Sequence, residues 1–313
     1  MGKYHHYVKK PRRFLALTGY TSEEFTALLP EFERQFYARM RTHRLDGKLR
    51  GQRRYCDYAN SPLPTSADKL FFILHYLKTN NLQEVQGAFF GMTQPKANQW
   101  LQVLHPVLNL ALAAWGVLPA RDMACVEWEE PVAQVYLHDG TERSIPRPTD
   151  KDTQREYYSG KKKQHTVKNN VVVDLQGRIR FLSPTVAGKK HDKKLADESA
   201  YQLPEGSHLG QDTGFQGFTV AGVTILQPKK KPKGQPLTPI DKHINAWLSA
   251  FRVRVEHAIG GAKRYRIVKE RIRNWKKGFR DQVLETCCGL HNFRLRFRPW
   301  HYPPIQLHLF VAF

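Results

Sequence analysis

At 313 residues and 41% hydrophobic content, the chain is long enough for two domains with real cores, a domain typically holding about 100 to 200 residues. Its 50 lysines and arginines against 28 acids leave a formal net charge of +22. Such an excess repels itself in a compact fold unless a polyanion accompanies it, which points to nucleic acid, with an anionic membrane as the runner-up. No apolar run approaches the roughly 20 residues that span a bilayer, and the opening MGKYHHYVKKPRRF lacks the apolar core of a signal peptide, so a soluble, cytoplasmic protein is expected. Cys56, Cys125 and the adjacent Cys287 and Cys288 offer neither a disulfide ladder nor C-x-x-C spacing and read as reduced core thiols. The 14 histidines are scattered and give no reason to invoke zinc.

In chain order, the first 18 or so residues read as basic and loose. Residues 21–41 open on the capped start T-S-E-E and carry Phe25, Leu28, Leu29, Phe32 and Phe36 at helical spacing. A Gly-, Arg- and Pro-containing connector over 47–64 leads to a strongly apolar helix over 66–78. Residues 82–90 form a further helix, Gly91 breaks it, and Thr93 caps the next, TQPKANQWLQVLHPVLNLAL. Two short helices joined by a glycine turn outline a helix-turn-helix, whose second helix reads the major groove from its first exposed residues. Those residues are Gln94, Lys96, Asn98 and Gln99, amides suiting adenine and lysine suiting guanine or phosphate. A plain helical bundle used for packing or dimerisation gives the same pattern.

Residues 119–131 connect to a second region, with strands expected over 132–139, 163–174 and 178–186. The D-L-Q-G turn over 174–177 makes the last two a hairpin, and Asp174 a turn residue rather than a catalytic one. Asp192 opens the helical pattern DKKLADESA and is placed to cap it. A fourth strand ends on Asp212, a fifth covers 223–226, and a long helix covers 240–262. Between these last two lies the basic loop K-K-K-P-K, containing Lys229, Lys230, Lys231 and Lys233, either a solvated loop or a contact for phosphate. A last helix spans 282–298, and the apolar tail HYPPIQLHLFVAF follows.

Within the long helix, Arg252, Glu256 and Lys263 fall at offsets of four and seven, which stacks them on one side at about 100° per residue. One carboxylate flanked by two cations suits a metal-binding acid beside a phosphate, although an ordinary helical ion pair has the same spacing. Asp139 and Asp212 each end an apolar run and precede a turn, where open α/β sheets place their ligands. Three acids therefore come from three separated elements.

On LHDGTERSIPRP around Asp139, GKKHDKKL around Asp192, GQDTGFQG around Asp212 and R-x-x-x-E-x-x-x-x-x-x-K at Arg252, Glu256 and Lys263, the chain resembles the DDE transposases of bacterial insertion sequences, most closely the group related to PIF/Harbinger elements. One departure is Ser249, where many relatives carry tyrosine three residues before the arginine. The resemblance implies an α/β fold, an RNase H-like mixed sheet flanked by helices over 126–313, preceded by an all-α helix-turn-helix domain over 1–125. It implies catalysis by Asp139, Asp212 and Glu256 holding two Mg²⁺ ions, with Mn²⁺ able to substitute, because two divalent ions activate the attacking oxygen and stabilise the departing one. The partners implied are double-stranded DNA, as terminal inverted repeats and target, and a second copy of the chain, as a homodimer or larger oligomer at the bacterial nucleoid. His191 and Asp192 are expected to be structural or supporting. Arg252, Lys263, Arg264, Arg266, Arg271 and Arg273 would face DNA, joined by Lys269, Lys276 and Lys277, with Trp275 either stacking on an unpaired base or partly buried. The rivals are a DNA-binding repressor without catalysis and a nuclease that cuts without joining.

Overall fold

The structure is a computed structural model that describes residues 2–128, 134–232, 234–274, 276 and 278–302. The helical part comprises α1 (Lys3–Val8), α2 (Pro11–Thr18), α3 (Ser22–Thr42), α4 (Ser66–Thr79), α5 (Gln83–Phe90) and α6 (Gln94–Ala114). There follow β1 (Val135–Ser144), α7 (Lys151–Tyr157), β2 (Tyr158–Ser159), β3 (Gln164–Val173), β4 (Ile179–Leu182), β5 (Val186–Ala187), α8 (Asp192–Glu198), β6 (His208–Gly210), β7 (Thr224–Leu226), α9 (Pro239–Lys263), α10 (Arg266–Lys269) and α11 (Phe279–Phe297). Among the described residues no helix is long and apolar enough to cross a membrane.

The amino-terminal segment differs from the loose one expected. Tyr4, Tyr7 and Phe14 lie at helical spacing among the charges; Phe14 is fully buried, Tyr4 stacks on Phe25 and Tyr7 on Phe71. The Tyr4 amide donates to Asp68 Oδ1 at 3.0 Å, fixing the first turn to α4. Helix α3 begins with the expected capping box, Thr21 and Glu24 each satisfying the other's backbone amide. Phe25, Leu28, Phe32, Phe36 and Met40 line its buried stripe. The whole run from Leu70 to Leu74 of α4 is buried, as befits a helix at the centre of a bundle. Buried with it is Lys69, paired with Asp57 at 2.8 Å and lying over the rings of Phe36 and Trp100. Gly91 turns the chain between α5 and α6 with φ +70°, a left-handed conformation glycine adopts freely. Thr93 occupies the N-cap position of α6 but makes no side-chain cap hydrogen bond, unlike the expected cap.

The sheet has the order β2-β3-β1-β6-β7, with β4 and β5 also paired to β3. Antiparallel β1–β3 pairing runs from Leu137 opposite Val173 to Ser144 opposite Thr166, while β1–β6 and β6–β7 are parallel. The mixed sheet flanked by helices is thus present. Its third expected strand is split into β4 and β5, and the turn before β4 is closed by Asp174, which accepts from the Gln176 and Arg178 amides and pairs with Arg178 at 2.8 Å. Asp174 is a turn residue, as expected.

Side-chain alternation divides the two faces. Leu137, Val171 and Val173 join α9, α11 and the amino-terminal helices in one continuous core, while Tyr136, Val172 and Leu209 meet Phe215, Phe218 and Tyr201 on the other. The helical bundle is stitched to the carboxyl-terminal helices by Tyr20 Oη donating to Leu290 O at 2.9 Å, and by His105 at 3.1 Å from Thr286 Oγ1. Cys287 and Cys288 are buried as expected, whereas Cys56 and Cys125 are exposed, since one lies in the connector and the other in a short 3₁₀ turn at the sheet's margin.

Glu24, 1% exposed, also receives Arg298 in a fork at 2.7 and 2.9 Å, tying the start of α3 to the end of α11. Arg298→Met leaves that carboxylate without its cation and should lower stability by about 1–3 kcal/mol in urea denaturation. A wild-type midpoint would show that the fork contributes nothing.

Candidate active site

Parallel pairing of β1 and β6 ends with Leu137 opposite Gly210. One residue on, the fully buried side chains of His138 and Gln211 meet, Nε2 to Oε1, at 3.0 Å. Asp139 and Asp212 come next on each segment. Because side chains alternate, His138 enters the aromatic layer of Phe215 and Tyr201, and Asp139 turns to the opposite face, towards α9. Burial drives the His138 imidazole down to about 3, so it is neutral and serves as a rigid spacer.

Asp139 does not end its strand as expected. β1 continues to Ser144, because Thr141 and Arg143 are buried and residues 140–144 keep their antiparallel partners on β3. Arg143 donates to Asn169 Oδ1 at 2.8 Å and to Thr185 Oγ1 at 3.1 Å, so a buried guanidinium holds this extension in place. Asp212 lies two residues past β6, where it accepts from the Gly214 amide at 2.6 Å and caps the 3₁₀ turn Thr213–Phe215. Burial first, then the Asp212 carboxylate, pushes Asp139 up to about 6; the Gly140 amide and Arg252 oppose the rise and Asp192 adds to it.

Arg252 on α9 turns to Asp212, Nη2 standing 3.7 Å from Oδ2, rather than forming the helical ion pair with Glu256 that spacing alone allows. Glu256 is exposed and makes no hydrogen bond or ion pair among the described residues. Lys263 is half-buried and donates to Glu142 O at 3.1 Å. Burial, with Arg143 and Lys162 nearby, brings its ammonium down to about 8 while the charge of Asp139 works against that fall. Arg252 and Lys263 therefore bracket the two aspartates from α9.

Asp192 is not the cap of α8. His191 holds the N-cap position without a side-chain bond, and Asp192 is the first helical residue. Its carboxylate instead pairs with Lys168 at 2.9 Å and approaches so close that a Cβ on Gly140 would lie 2.7 Å from Oδ1. Sequence reasoning missed Lys168 and Asn170 altogether, although three polar residues, Lys168, Asn169 and Asn170, inside an apolar strand are a signal of buried partners.

The aspartates fit a divalent cation by their chemistry: they offer hard oxygen donors, and the burial and mutual repulsion that raise Asp139 would be relieved by a cation. Among the described residues, no group of three His, Cys, Asp or Glu is arranged to hold a metal ion, so the structure does not bring Glu256 into such a group with the aspartates.

The residues singled out for DNA lie in three places. Gln94 donates to Gln83 at 2.6 Å, Gln83 donates to Asn98 at 3.1 Å, and Lys96 reaches Gln99 at 3.5 Å, so the amides at the start of α6 form a local network. Lys229 is tied to Asp241 at 3.1 Å, whereas Lys230 and Lys231 are exposed without an ion pair among the described residues. Past α9, Arg264 is half-buried, Arg266 pairs with Glu270, Arg273 reaches Asn80, Lys276 reaches Gln102 on α6, and Arg271 and Lys269 are exposed. Lys233, Trp275 and Lys277 lie outside the described residues.

Residues 138–292 match the DDE superfamily endonucleases. The chain is also 30% identical over 233 residues, 74% of its own length and 81% of the relative's, to a protein described as "Probable transposase for insertion sequence element IS702" from Microchaete diplosiphon. No solved structure matches it significantly.

The raised Asp139 has a consequence for stability. From pH 3.8 to about 6 the folded chain holds a proton that the unfolded chain releases, so ionising Asp139 costs stability across that window and fully above it. Asp139→Asn should stabilise the metal-free protein by about 1–3 kcal/mol at pH 7.5 and by little at pH 4.5, in urea denaturation with chelator present. Equal effects at both pH values would contradict the assignment.

Proposed function

The chain belongs to the DDE superfamily endonucleases, as a DDE transposase of an insertion sequence, and from that premise we propose that it binds the terminal inverted repeats of its element, cleaves them and joins the freed ends to target DNA, with Asp139, Asp212 and Glu256 as catalytic acids. The observation that carries the reading is the pair Asp139 and Asp212, set side by side just past the end of the parallel β1–β6 pairing and faced by Arg252. The strand order around β1, with antiparallel β3 on one side and parallel β6 on the other, supports an RNase H-like assignment.

Endonucleases of this superfamily typically use divalent metal ions. Asp139 and Asp212 would hold them, Glu256 joining from the face of α9 between Arg252 and Lys263, and Mg²⁺ is the proposed ion, with Mn²⁺ as substitute. When bound, such ions lower the cost of charge on the attacking and leaving oxygens. The protein's own part is electrostatic and positional. Arg252 has one carboxylate neighbour at 3.7 Å and an orientation towards the site, which suits a phosphate of the cleaved strand. Lys263, directed at Glu142 O and Asp139, adds positive charge to the same region until its proton leaves above about pH 8. In the first step a water oxygen bonds to phosphorus and the bond to the 3′ oxygen breaks, that oxygen leaving as a 3′-hydroxyl with a proton from the water; in the second the 3′-hydroxyl oxygen, losing its proton, bonds to a target-strand phosphorus as the bond to the target's own 3′ oxygen breaks and that oxygen is protonated. No covalent protein intermediate is needed.

Sequence-specific binding is assigned to the helical region, residues 1–125, as a helix-turn-helix made of α5, Gly91 and α6, and the core to residues 126–313. Gln94, Lys96, Asn98 and Gln99 would exchange their local hydrogen bonds, two of them with Gln83, for base edges. Lys230, Lys231 and Arg271, exposed and without ion pairs among the described residues, would meet phosphates. Two element ends require at least two active sites, so the working form is taken to be a homodimer or larger oligomer on DNA at the nucleoid.

The test is incubation of purified protein with Mg²⁺ and labelled DNA carrying the element's own ends, with and without target DNA. The expected result is nicking that liberates a 3′-hydroxyl, joining when target is supplied, and loss of at least 10³-fold in rate for Asp139→Asn, Asp212→Asn and Glu256→Gln, on the order of removing a group that stabilises the transition state. Binding without cleavage by the wild type would favour a repressor, cleavage without joining a simple nuclease, and full activity in any of the three variants would remove that acid from the catalytic set.

A further inference from the structure

A chain of largely buried charges lies behind the two aspartates. Lys168 stands opposite Glu142 in the β1–β3 register, its ammonium 3.6 Å from Glu142 Oε1 and 2.9 Å from Asp192 Oδ1, and it donates to Lys190 O at 2.8 Å. The lysine side chain is 8% exposed and that of Glu142 9%, so neither charge is screened by bulk water. Glu142 is further fixed by the Thr166 hydroxyl at 2.8 Å.

At the outer end of this chain, Asp192 is wedged against the backbone that carries both aspartates. A Cβ on Gly140, directly after Asp139, would lie 2.7 Å from Asp192 Oδ1. A Cβ on Gly214, two residues after Asp212, would lie 3.6 Å from Asp192 Oδ2. Glycine at 140 thus leaves room for a carboxylate rather than serving a turn, since β1 runs straight through it. A second, independent feature marks the same spot. Asn170 is fully buried and donates from Nδ2 to Asp192 O at 2.9 Å, while its Oδ1, 3.4 Å from the Gly140 Cβ position, has no hydrogen bond; the buried Tyr201 hydroxyl lies close but completes none. An unsatisfied buried acceptor beside the Asp192 carboxylate makes a locality that favours a cation.

We propose that Asp192 is a positioning residue for divalent-ion binding by Asp139 and Asp212, held between Gly140 and Gly214 by the buried Lys168. Its contacts fix how close the two aspartates stand, and Lys168 fixes Asp192 in turn. The inference rests on the reading of Asp139 and Asp212 as metal ligands. Partners that orient metal ligands typically contribute about 10- to 100-fold in metal affinity.

The experiment is calorimetric titration of the full chain with Mn²⁺, without DNA, at pH 7.5, alongside thermal unfolding in chelator. Asp192→Asn should weaken Mn²⁺ binding by about 10- to 100-fold in protein that still unfolds cooperatively in chelator and is folded at the titration temperature, which separates positioning from loss of the fold. Lys168→Met should weaken it similarly, and Lys168→Arg should restore most of the affinity. Wild-type affinity in Asp192→Asn would overturn the inference. Failure of the wild type to bind Mn²⁺, or undiminished binding in Asp139→Asn, would overturn the metal reading on which it rests. Should Lys168→Met fail to fold, Asp192→Asn alone decides.

Discussion

The site depends on one constraint, the parallel register of β1 and β6 locked by the buried hydrogen bond between His138 and Gln211. Pairing stops at Leu137 and Gly210, and the side-chain bond then carries the alignment one residue further, past the end of the ladder. Two like charges that would drift apart in a free chain are held together by backbone and aromatic packing beneath them. Burial of His138 keeps it neutral, so this spacer adds no cation that would pair with the aspartates and close the site.

Charge is distributed with the opposite bias to the molecule as a whole. A chain of net charge +22 gathers Asp139, Asp212, Asp192 and Glu142 in one locality, and meets them with Arg252, Lys168 and Lys263 from α9 and β3. A strongly positive protein draws DNA to its surface at long range, while the clustered acids reject phosphate unless cations intervene. Such a division suits an endonuclease, in which attraction to the polymer and reaction at one phosphodiester are separate tasks.

Much of this was legible in the sequence, and the failures have physical causes. Apolar runs leading to Asp139 and Asp212, and the long helix bearing Glu256, have strong periodicity, and α9 (Pro239–Lys263) lies close to the helix expected over 240–262. The capping box at Thr21 was readable because both its partners are local. Helices α1 and α2 were not, because charges mask the spacing of Tyr4, Tyr7 and Phe14, and their stability comes from distant Phe25 and Phe71. Gly140 read as a turn, since only the folded chain reveals the Asp192 carboxylate pressed against it. Asp192 itself read as a cap because local rules cannot see Lys168, 24 positions earlier on another element. Likewise the helical spacing of Arg252 and Glu256 was correct, yet the arginine turns off the helix to Asp212, two residues past β6.

The most direct measurement is a crystal structure of the protein soaked in Mn²⁺, with the ion located by its anomalous scattering. The account predicts a peak coordinated by both Asp139 and Asp212 at about 2.1 Å, the range of small hard cations with oxygen ligands. Ions bound only elsewhere, with the two carboxylates pointing apart, would contradict it.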